Sequence, residues 1–119
     1  MSNTQEFGII EDINEKKYYI DYEPKKYNCV SIDDDFFTEI YIKNRRRFES
    51  SETFVNSLDR DYKGLFLCWI TLIPPKSLED FLNIIIEENS NYKSKELELL
   101  IDKISIAIKE NKYLIHYGL

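Results

Sequence analysis

The sequence predicts an α+β domain: an antiparallel sheet of about five strands with two C-terminal helices packed on one face. Three observations support this. Short, β-prone apolar runs separated by polar turns fill residues 1–73, residues 65–73 are almost continuously apolar, and two amphipathic segments follow. A chain of 119 residues has the size of one domain with one core. We therefore expect residues 1–119 to fold as a single domain.

The strands predicted in the N-terminal half are short and suit an antiparallel meander. They are the segments EFGII, YYIDY, CVSI and FFTEIYI, separated by the turn-like EDINEKK, a corner at Pro24 and an acidic break at Asp33–Asp35. In the last segment Ile40 and Ile42 alternate with Glu39 and Tyr41, which is typical of a strand with one buried face.

A polar connection and the most apolar run of the chain come next. Residues 44–64 are polar, but Phe54 and Leu58 lie at helical spacing and predict one short helix. Leu65–Ile73 predicts a strand near the middle of the sheet that is covered on both faces. We expect Pro74–Pro75 to turn the chain from the sheet into the helical layer, since proline cannot continue a central strand.

Two helices and a final strand are predicted after the prolines. Residues 77–89 begin with an S-x-x-D capping pattern at Ser77, and residues 94–111 have Ser94 as a plausible cap. Residues 113–117 are β-prone and predict a short edge strand. The buried stripes are expected to consist of Leu78, Phe81, Leu82 and Ile85 in the first helix and of Leu97, Leu100, Ile101, Ile104 and Ile108 in the second.

The sequence carries no sign of export or of a membrane span. No apolar run approaches the roughly 20 residues that a membrane helix needs, and the start MSNTQEFGII lacks the basic and apolar regions of a signal peptide. Cys29 and Cys68 each lie in an apolar run without CxxC spacing, so we expect two buried, reduced thiols. These features predict a cytoplasmic protein that does not bind a membrane.

Common catalytic and ligand-binding motifs are absent from the sequence. It contains no phosphate-binding glycine loop, no G-x-S-x-G and no H-E-x-x-H, and Asp33–Asp35 lacks the glycine that a calcium loop needs. His116 is the only histidine, and we expect it to be a half-buried structural donor and not a base acting with Cys68. We therefore expect no enzyme, no catalytic residue, no cofactor and no metal.

The negative charge is concentrated in the first third of the chain. Residues 1–42 hold ten Asp and Glu against four Lys, a difference of −6, whereas residues 43–119 hold twelve of each sign. This argues against nucleic-acid binding and allows docking of a basic protein, although solubility alone also explains it. Arg45–Arg47 is the only dense basic cluster, and we expect it to be solvated or to pair with acidic side chains.

Tyrosines interleave with the acidic N-terminal segments. Tyrosine offers a large contact area with a polar tip, which suits a protein interface and also a half-exposed sheet. Our hypothesis is a partner-binding surface that consists of Asp21, Tyr22, Glu23, Asp33, Asp34, Asp35, Glu39 and Tyr41.

The C-terminal half resembles that of small bacterial immunity proteins, which are encoded beside polymorphic or contact-dependent growth-inhibition toxins. The resemblance rests on WITLIPPKSLEDFLNII, the amphipathic helix after it and the ending IKENKYLIHYGL, covers about Leu65–Leu119, and transfers no functional residue. It implies a cytoplasmic, cofactor-free, non-enzymatic inhibitor of a cognate toxin, commonly a nuclease with a basic cleft. The alternative is a small self-associating regulatory or structural module without a toxin partner. The oligomeric state is left open.

Overall fold

A computed structural model describes residues 3–118. Within this range the α+β class is confirmed, with six strands where about five were predicted. The strands are β1 (Thr4–Ile10), β2 (Val30–Asp33), β3 (Glu52–Val55), β4 (Asp61–Lys63), β5 (Ile70–Ile73) and β6 (Tyr113–Tyr117), and the helices are α1 (Asp34–Lys43), α2 (Arg45–Phe48), α3 (Pro75–Tyr92) and α4 (Lys95–Glu110). No helix among these residues is both long and apolar enough to cross a bilayer.

The sheet has the strand order β2-β1-β6-β5-β3-β4, and every neighbouring pair is antiparallel. The C-terminal strand β6 therefore lies at the centre, between β1 and β5, and the prediction of an edge strand is wrong. Its last four residues are buried without alternation, which is typical of a strand with a packed layer on each face. This insertion also breaks the predicted meander, because β6 separates the N-terminal strand pair from the rest of the sheet.

Different layers cover the two faces of the sheet. On the helical face, α3 and α4 pack their apolar stripes against β1, β2 and β6, around the core residues Phe7, Ile9, Ile32, Ile73, Leu78, Phe81, Ile85, Leu97, Leu100, Ile104 and Leu114. On the other face the long connection between β1 and β2 replaces a helical layer. It packs Tyr19 and Tyr27 against a second apolar cluster that includes Leu72, Ile115 and Tyr117.

Residues 34–43 form helix α1, not the predicted strand. The carboxylate of Asp33 accepts a hydrogen bond from the Phe36 backbone N–H at 3.1 Å and caps the helix. The alternation that predicted a strand is coincidental, because Ile42 is 64% exposed. The residues that turn towards the core have helical spacing and are Phe37, Ile40 and Tyr41.

Two further N-terminal predictions are wrong. Residues 18–22 form no strand, and Tyr19 instead donates its backbone N–H to the carbonyl oxygen of Asn56 at 2.6 Å and accepts the Asn56 side-chain amide at 2.9 Å. The short helix predicted around Phe54 is strand β3, in which Thr53 and Val55 are buried while Glu52 is exposed. Burial at every second residue is typical of a strand, and the helical spacing in this segment is too weak to indicate a helix.

The apolar run Leu65–Ile73 is only partly a strand. β5 begins at Ile70, and residues 65–69 form a loop that leaves Phe66 and Trp69 exposed. Gly64 starts this loop with a backbone φ of +73°, a conformation that residues with a side chain rarely adopt. Gly64 therefore fixes the conformation at the start of the loop, and residues 65–69 are not covered on both faces.

The C-terminal half follows the prediction more closely. Pro74 occupies the N-cap position of α3, and Pro75 lies in its first turn. The proline pair therefore marks the passage from β5 to the helical layer. The capping pattern at Ser77 is wrong: this side chain is buried and its hydroxyl donates to the carbonyl oxygen of Glu52 at 2.6 Å. Ser94 does cap α4, accepting the Leu97 backbone N–H at 3.3 Å.

Candidate interaction surface

Several acidic residues meet at one end of the sheet, where β1 begins and β6 finishes. The antiparallel register pairs Thr4 of β1 with Asp33 of β2, and Tyr117 of β6 with both Glu6 of β1 and Ile70 of β5. The last residues of β2 and β6 therefore lie beside the first residues of β1 and β5. We call this region the acidic end, defined by Asp21, Tyr22, Glu23, Asp33, Asp34 and Asp35.

The first turn of α1 supplies three carboxylates to the acidic end. Asp33 is exposed and caps the helix, while Asp34 is half-buried. Asp34 accepts hydrogen bonds from the side-chain amide of Gln5 at 2.7 Å and from the Thr38 hydroxyl at 3.3 Å. Asp35 is exposed and makes no side-chain hydrogen bond or ion pair to residues 3–118. Its carboxylate is therefore available to a partner.

A second segment reaches the same end across the other face of the sheet. The Tyr22 hydroxyl donates to the buried carboxylate of Glu6, and its ring contacts Tyr117 edge-on at a centroid distance of 5.1 Å. The Glu23 backbone N–H donates to the Tyr117 hydroxyl at 3.2 Å. The hydrogen bond to Glu6 raises the pKa of Tyr22 to about 12, so its hydroxyl stays protonated. Asp21, next to it, is exposed.

Gln5 and Glu6 are consecutive in β1 and hold the two segments from opposite faces of the strand. Gln5 binds Asp34 on the helical face, and Glu6 binds Tyr22 on the other. Six of the eight residues of the hypothesised surface thus lie at the acidic end. Glu39 is exposed one helical turn after Asp35 and extends the surface along α1.

Tyr41 does not belong to this surface. Its side chain is buried and stacks on Phe48 at a centroid distance of 4.7 Å. The hydroxyl accepts the Leu65 backbone N–H at 3.0 Å and contacts Glu49 at 3.4 Å. Burial raises the pKa of Tyr41 to about 12. Because residues 34–43 are a helix, Tyr41 turns inward with the core residues and does not face outward as in the predicted strand.

The sequence prediction missed an exposed aromatic loop beside the acidic end, which we define as residues 65–69. The carbonyl oxygen of Leu67 accepts the same Gln5 amide nitrogen that binds Asp34, at 3.2 Å. The Gly118 backbone N–H donates to the carbonyl oxygen of Trp69 at 2.7 Å. Phe66 also stacks on Tyr62, with the ring centroids 5.7 Å apart. The one signal in the sequence is Gly64, which lies directly before the apolar run.

A buried hydrogen-bond chain fixes this loop to the sheet. The Phe66 backbone N–H donates to the Thr71 hydroxyl oxygen at 2.9 Å, and that hydroxyl lies 3.2 Å from His116 Nδ1. His116 Nε2 lies 2.5 Å from the side-chain oxygen of Gln5, whose amide nitrogen serves Asp34 and Leu67. These contacts assign the hydrogen of the ring to Nε2 and leave Nδ1 to accept from Thr71.

His116 is fully buried, not half-buried as predicted, and is a structural donor. Burial lowers the pKa of His116 to about 3, so the ring is neutral at physiological pH. The thiol predictions are also corrected: Cys68 is exposed and Cys29 is only partly buried. Burial raises the pKa of Cys29 to about 12, which keeps its thiol protonated.

Several of the remaining charged residues form ion pairs away from the acidic end. Part of the N-terminal acidic excess follows β1 at the opposite end of the sheet, where Glu11 pairs with Lys112. Within the arginine cluster, Arg45 pairs with Glu49 at 3.0 Å and Arg47 with Glu87 of α3 at 2.5 Å. These partners are a loop residue and a helical residue, and neither belongs to the acidic N-terminal segments, while Arg46 is exposed. No group of three or more potential metal ligands occurs in residues 3–118.

Comparison with known proteins gives no match. No protein-family model, no curated protein and no solved structure is similar to this chain. The resemblance to immunity proteins therefore rests on the quoted C-terminal segments alone, and the role of the acidic end in partner binding stays a prediction.

Proposed function

We propose that this protein is an immunity protein that acts in the cytoplasm and neutralises a toxin domain by covering its basic cleft with the acidic end. The supporting observation is that two distant segments with exposed carboxylates are bound to consecutive residues of β1: the segment of Asp21 through Tyr22 and Glu6, and that of Asp33 and Asp35 through Asp34 and Gln5. A nuclease cleft binds phosphate groups with Lys and Arg. Carboxylates placed on a rigid protein surface compete with phosphates for the same cations.

The acidic end is suited to this role because internal hydrogen bonds hold two of its carboxylates, Asp33 and Asp34, in place before binding. Asp34 is fixed by Gln5 and Thr38, and Tyr22 is fixed by Glu6 and Tyr117. Binding then costs little further side-chain ordering, which favours tight complexes. Exposed charges of one sign also accelerate association with a basic partner, most strongly at low salt.

Self-association through the sheet is the alternative, and the edges of the sheet oppose it. The two edge strands are β2 and β4, of four and three residues. All three residues of β4 are exposed, and Asp61 and Lys63 are charged. Short, charged edge strands are a common protection against pairing with a second copy. A toxin partner explains the acidic end, whereas pairing through β4, at the other edge of the sheet, would leave it unused.

The test is co-expression with the protein encoded immediately upstream, with survival of the cells and co-purification as readouts. We expect survival and a stable complex, and a double substitution Asp21→Asn with Asp35→Asn should slow association about fivefold at low salt. The matched control is Glu79→Gln with Asp102→Asn, which removes the same charge from exposed positions on α3 and α4. A toxic neighbour that the chain neither binds nor neutralises would refute the proposal.

A further inference from the structure

Three exposed aromatic side chains adjoin the acidic end and have no role in the core. Tyr22 is 56% exposed, Trp69 45% and Phe66 39%. Tryptophan is usually largely buried, so a half-exposed tryptophan calls for an explanation. Tyr22 is held by its hydroxyl and Trp69 by its backbone, which leaves ring surface of both for contact, whereas the Phe66 ring stacks on Tyr62 of β4.

Contacts at the end of β6 and at the residue after it bring Tyr22 and the backbone of the aromatic loop to the same end of the sheet. Tyr117 packs its ring against Tyr22, and Gly118 donates its backbone N–H to the carbonyl oxygen of Trp69. On the other side of the loop, the single amide nitrogen of Gln5 touches both Asp34 and the Leu67 carbonyl. The aromatic loop thus lies between the two acidic segments of the acidic end.

We propose that Tyr22 and Trp69, together with the neighbouring carboxylates, form a binding surface for arginine side chains of a protein partner. This inference rests on the proposed function and names the partner chemistry. A guanidinium group is planar, stacks on aromatic faces and forms paired hydrogen bonds with a carboxylate. Lysine, a strongly hydrated point charge, uses such a surface less well.

Other partner chemistries fit this surface poorly. Nucleic acids and anionic membranes are repelled by Asp21, Asp33 and Asp35. A purely apolar partner would cover the aromatic rings but would also remove water from the flanking carboxylates without pairing them, which is costly. An arginine-bearing surface satisfies the rings and the carboxylates at the same time.

The position of Trp69 provides a direct readout, since it is the only tryptophan of the chain. Deca-arginine and deca-lysine peptides serve as probes in a fluorescence titration of the full chain at constant ionic strength. We expect Trp69 emission to change on binding and deca-arginine to bind at least about threefold more tightly than deca-lysine. Equal binding of the two peptides, or no change in emission, would overturn the inference.

A substitution separates the aromatic contribution from that of charge. Trp69→Leu should weaken the binding of a labelled deca-arginine, followed by anisotropy, about fivefold. The control Ile106→Ala, on α4, removes an apolar side chain of the same 45% exposure and should leave binding unchanged. Circular dichroism and urea unfolding confirm that both variants are folded. Unaltered binding by the folded Trp69 variant would refute the role of the loop.

The two proposals fail in different ways. If the upstream protein is bound and neutralised but Trp69→Leu leaves its dissociation rate unchanged, the immunity function stands and the arginine-binding surface is wrong. If deca-arginine binds as expected but the upstream protein is neither toxic nor bound, the surface stands and the partner is not that toxin.

Discussion

The charged groups at the two ends of the sheet have different internal partners. At the opposite end, Lys112 pairs with Glu11 and with Glu110, and Lys76 pairs with Glu52. At the acidic end Glu23 pairs with Lys26 at 3.5 Å, but Asp33 and Asp34 accept hydrogen bonds from uncharged groups, namely the Phe36 backbone N–H, the Gln5 amide and the Thr38 hydroxyl. A charged group that already forms a local ion pair attracts a binding partner less strongly. A carboxylate that accepts hydrogen bonds from neutral donors keeps its negative charge and can attract a basic partner.

A cavity lies at the opposite end and illustrates the same contrast. It has a volume of about 520 Å³ and is lined by Ile10, Phe54, Pro74 and Tyr113, with Lys76 and Lys112 among its polar residues. Both lysines are already paired with glutamates, so the cavity offers apolar walls without a free charge of either sign to select a ligand. A search for cavities alone would therefore select the end of the sheet at which the charged groups are already paired.

Cutting the hydrogen-bond chain beneath the acidic end should have the largest effect on stability. His116→Phe keeps a ring of similar shape but leaves the side-chain oxygen of Gln5 and the hydroxyl of Thr71 with one partner fewer in a fully buried site. We expect the free energy of unfolding in urea to fall by about 3 kcal/mol. Thr71→Val in the same background should then cost less than it does in the original chain, because the two residues share one network.

Retention of full stability in His116→Phe would contradict this chain of hydrogen bonds. Hydrogen exchange at the Phe66 backbone amide is a sharper second readout, since that N–H donates to Thr71. We expect faster exchange there in the variant and unchanged exchange in β4, which lies at the far edge of the sheet.

Acid should destabilise the protein through the same histidine. The pKa of His116 is about 3 in the folded state, against an ordinary value of 6.5. Below pH 6.5 the unfolded chain binds a proton that the folded chain does not, so stability falls as the pH drops. We expect the difference in unfolding free energy between the original chain and His116→Gln to change by up to about 1.4 kcal/mol per pH unit between pH 6 and pH 5.

Taking the difference between the two chains cancels the titration of the carboxylates that they share. Parallel pH profiles of the two chains would show that the imidazole is accessible to protons in the folded state. That outcome would be incompatible with its burial between Gln5 and Thr71.

Removing a helix cap should have an intermediate effect. Asp33→Ala deletes the acceptor for the Phe36 backbone N–H and, with it, one exposed charge of the acidic end. We expect a loss of about 1 kcal/mol in the free energy of unfolding, similar to that of Ser94→Ala at the start of α4. Only the Asp33 variant should also slow association with a basic partner. Equal association rates for the two variants would remove Asp33 from the surface.

The fold class was predictable because the amphipathic helices and the β-prone runs satisfy the requirement for two packed layers. The local secondary structure was less predictable, since a weak apolar pattern can fit both the helical period and the strand period. The alternation of Ile40 and Ile42 favoured a strand, yet Phe37, Ile40 and Tyr41 fit a helix equally well and Asp33 caps it. Only packing against the core decides between the two.

The candidate site was predictable in its composition and not in its assembly. Charge alone indicated Asp21 and Asp33–Asp35, but their meeting depends on β6 pairing with β1, a contact between the two termini of the chain. Strand pairing over such a distance leaves no periodic signal in one sequence. The aromatic loop was missed for the opposite reason, because its apolar composition predicts burial and only Gly64 indicates a turn.

Disrupting the charge pairs at the opposite end should have the smallest effect of all. Lys112→Met removes the cation between Glu11 and Glu110, which are both exposed. These glutamates raise the pKa of Lys112, so any stabilisation is complete below its ordinary value of 10.5 and is lost only above it. Between pH 6 and pH 8 we expect an unfolding free energy within experimental error of the original, because exposed pairs are screened by water and salt. Binding of deca-arginine to this variant should also be unchanged. Stronger binding would show that Glu11 and Glu110 also attract cations when Lys112 is absent. The difference in cation binding between the two ends would then be due to local ion pairing alone.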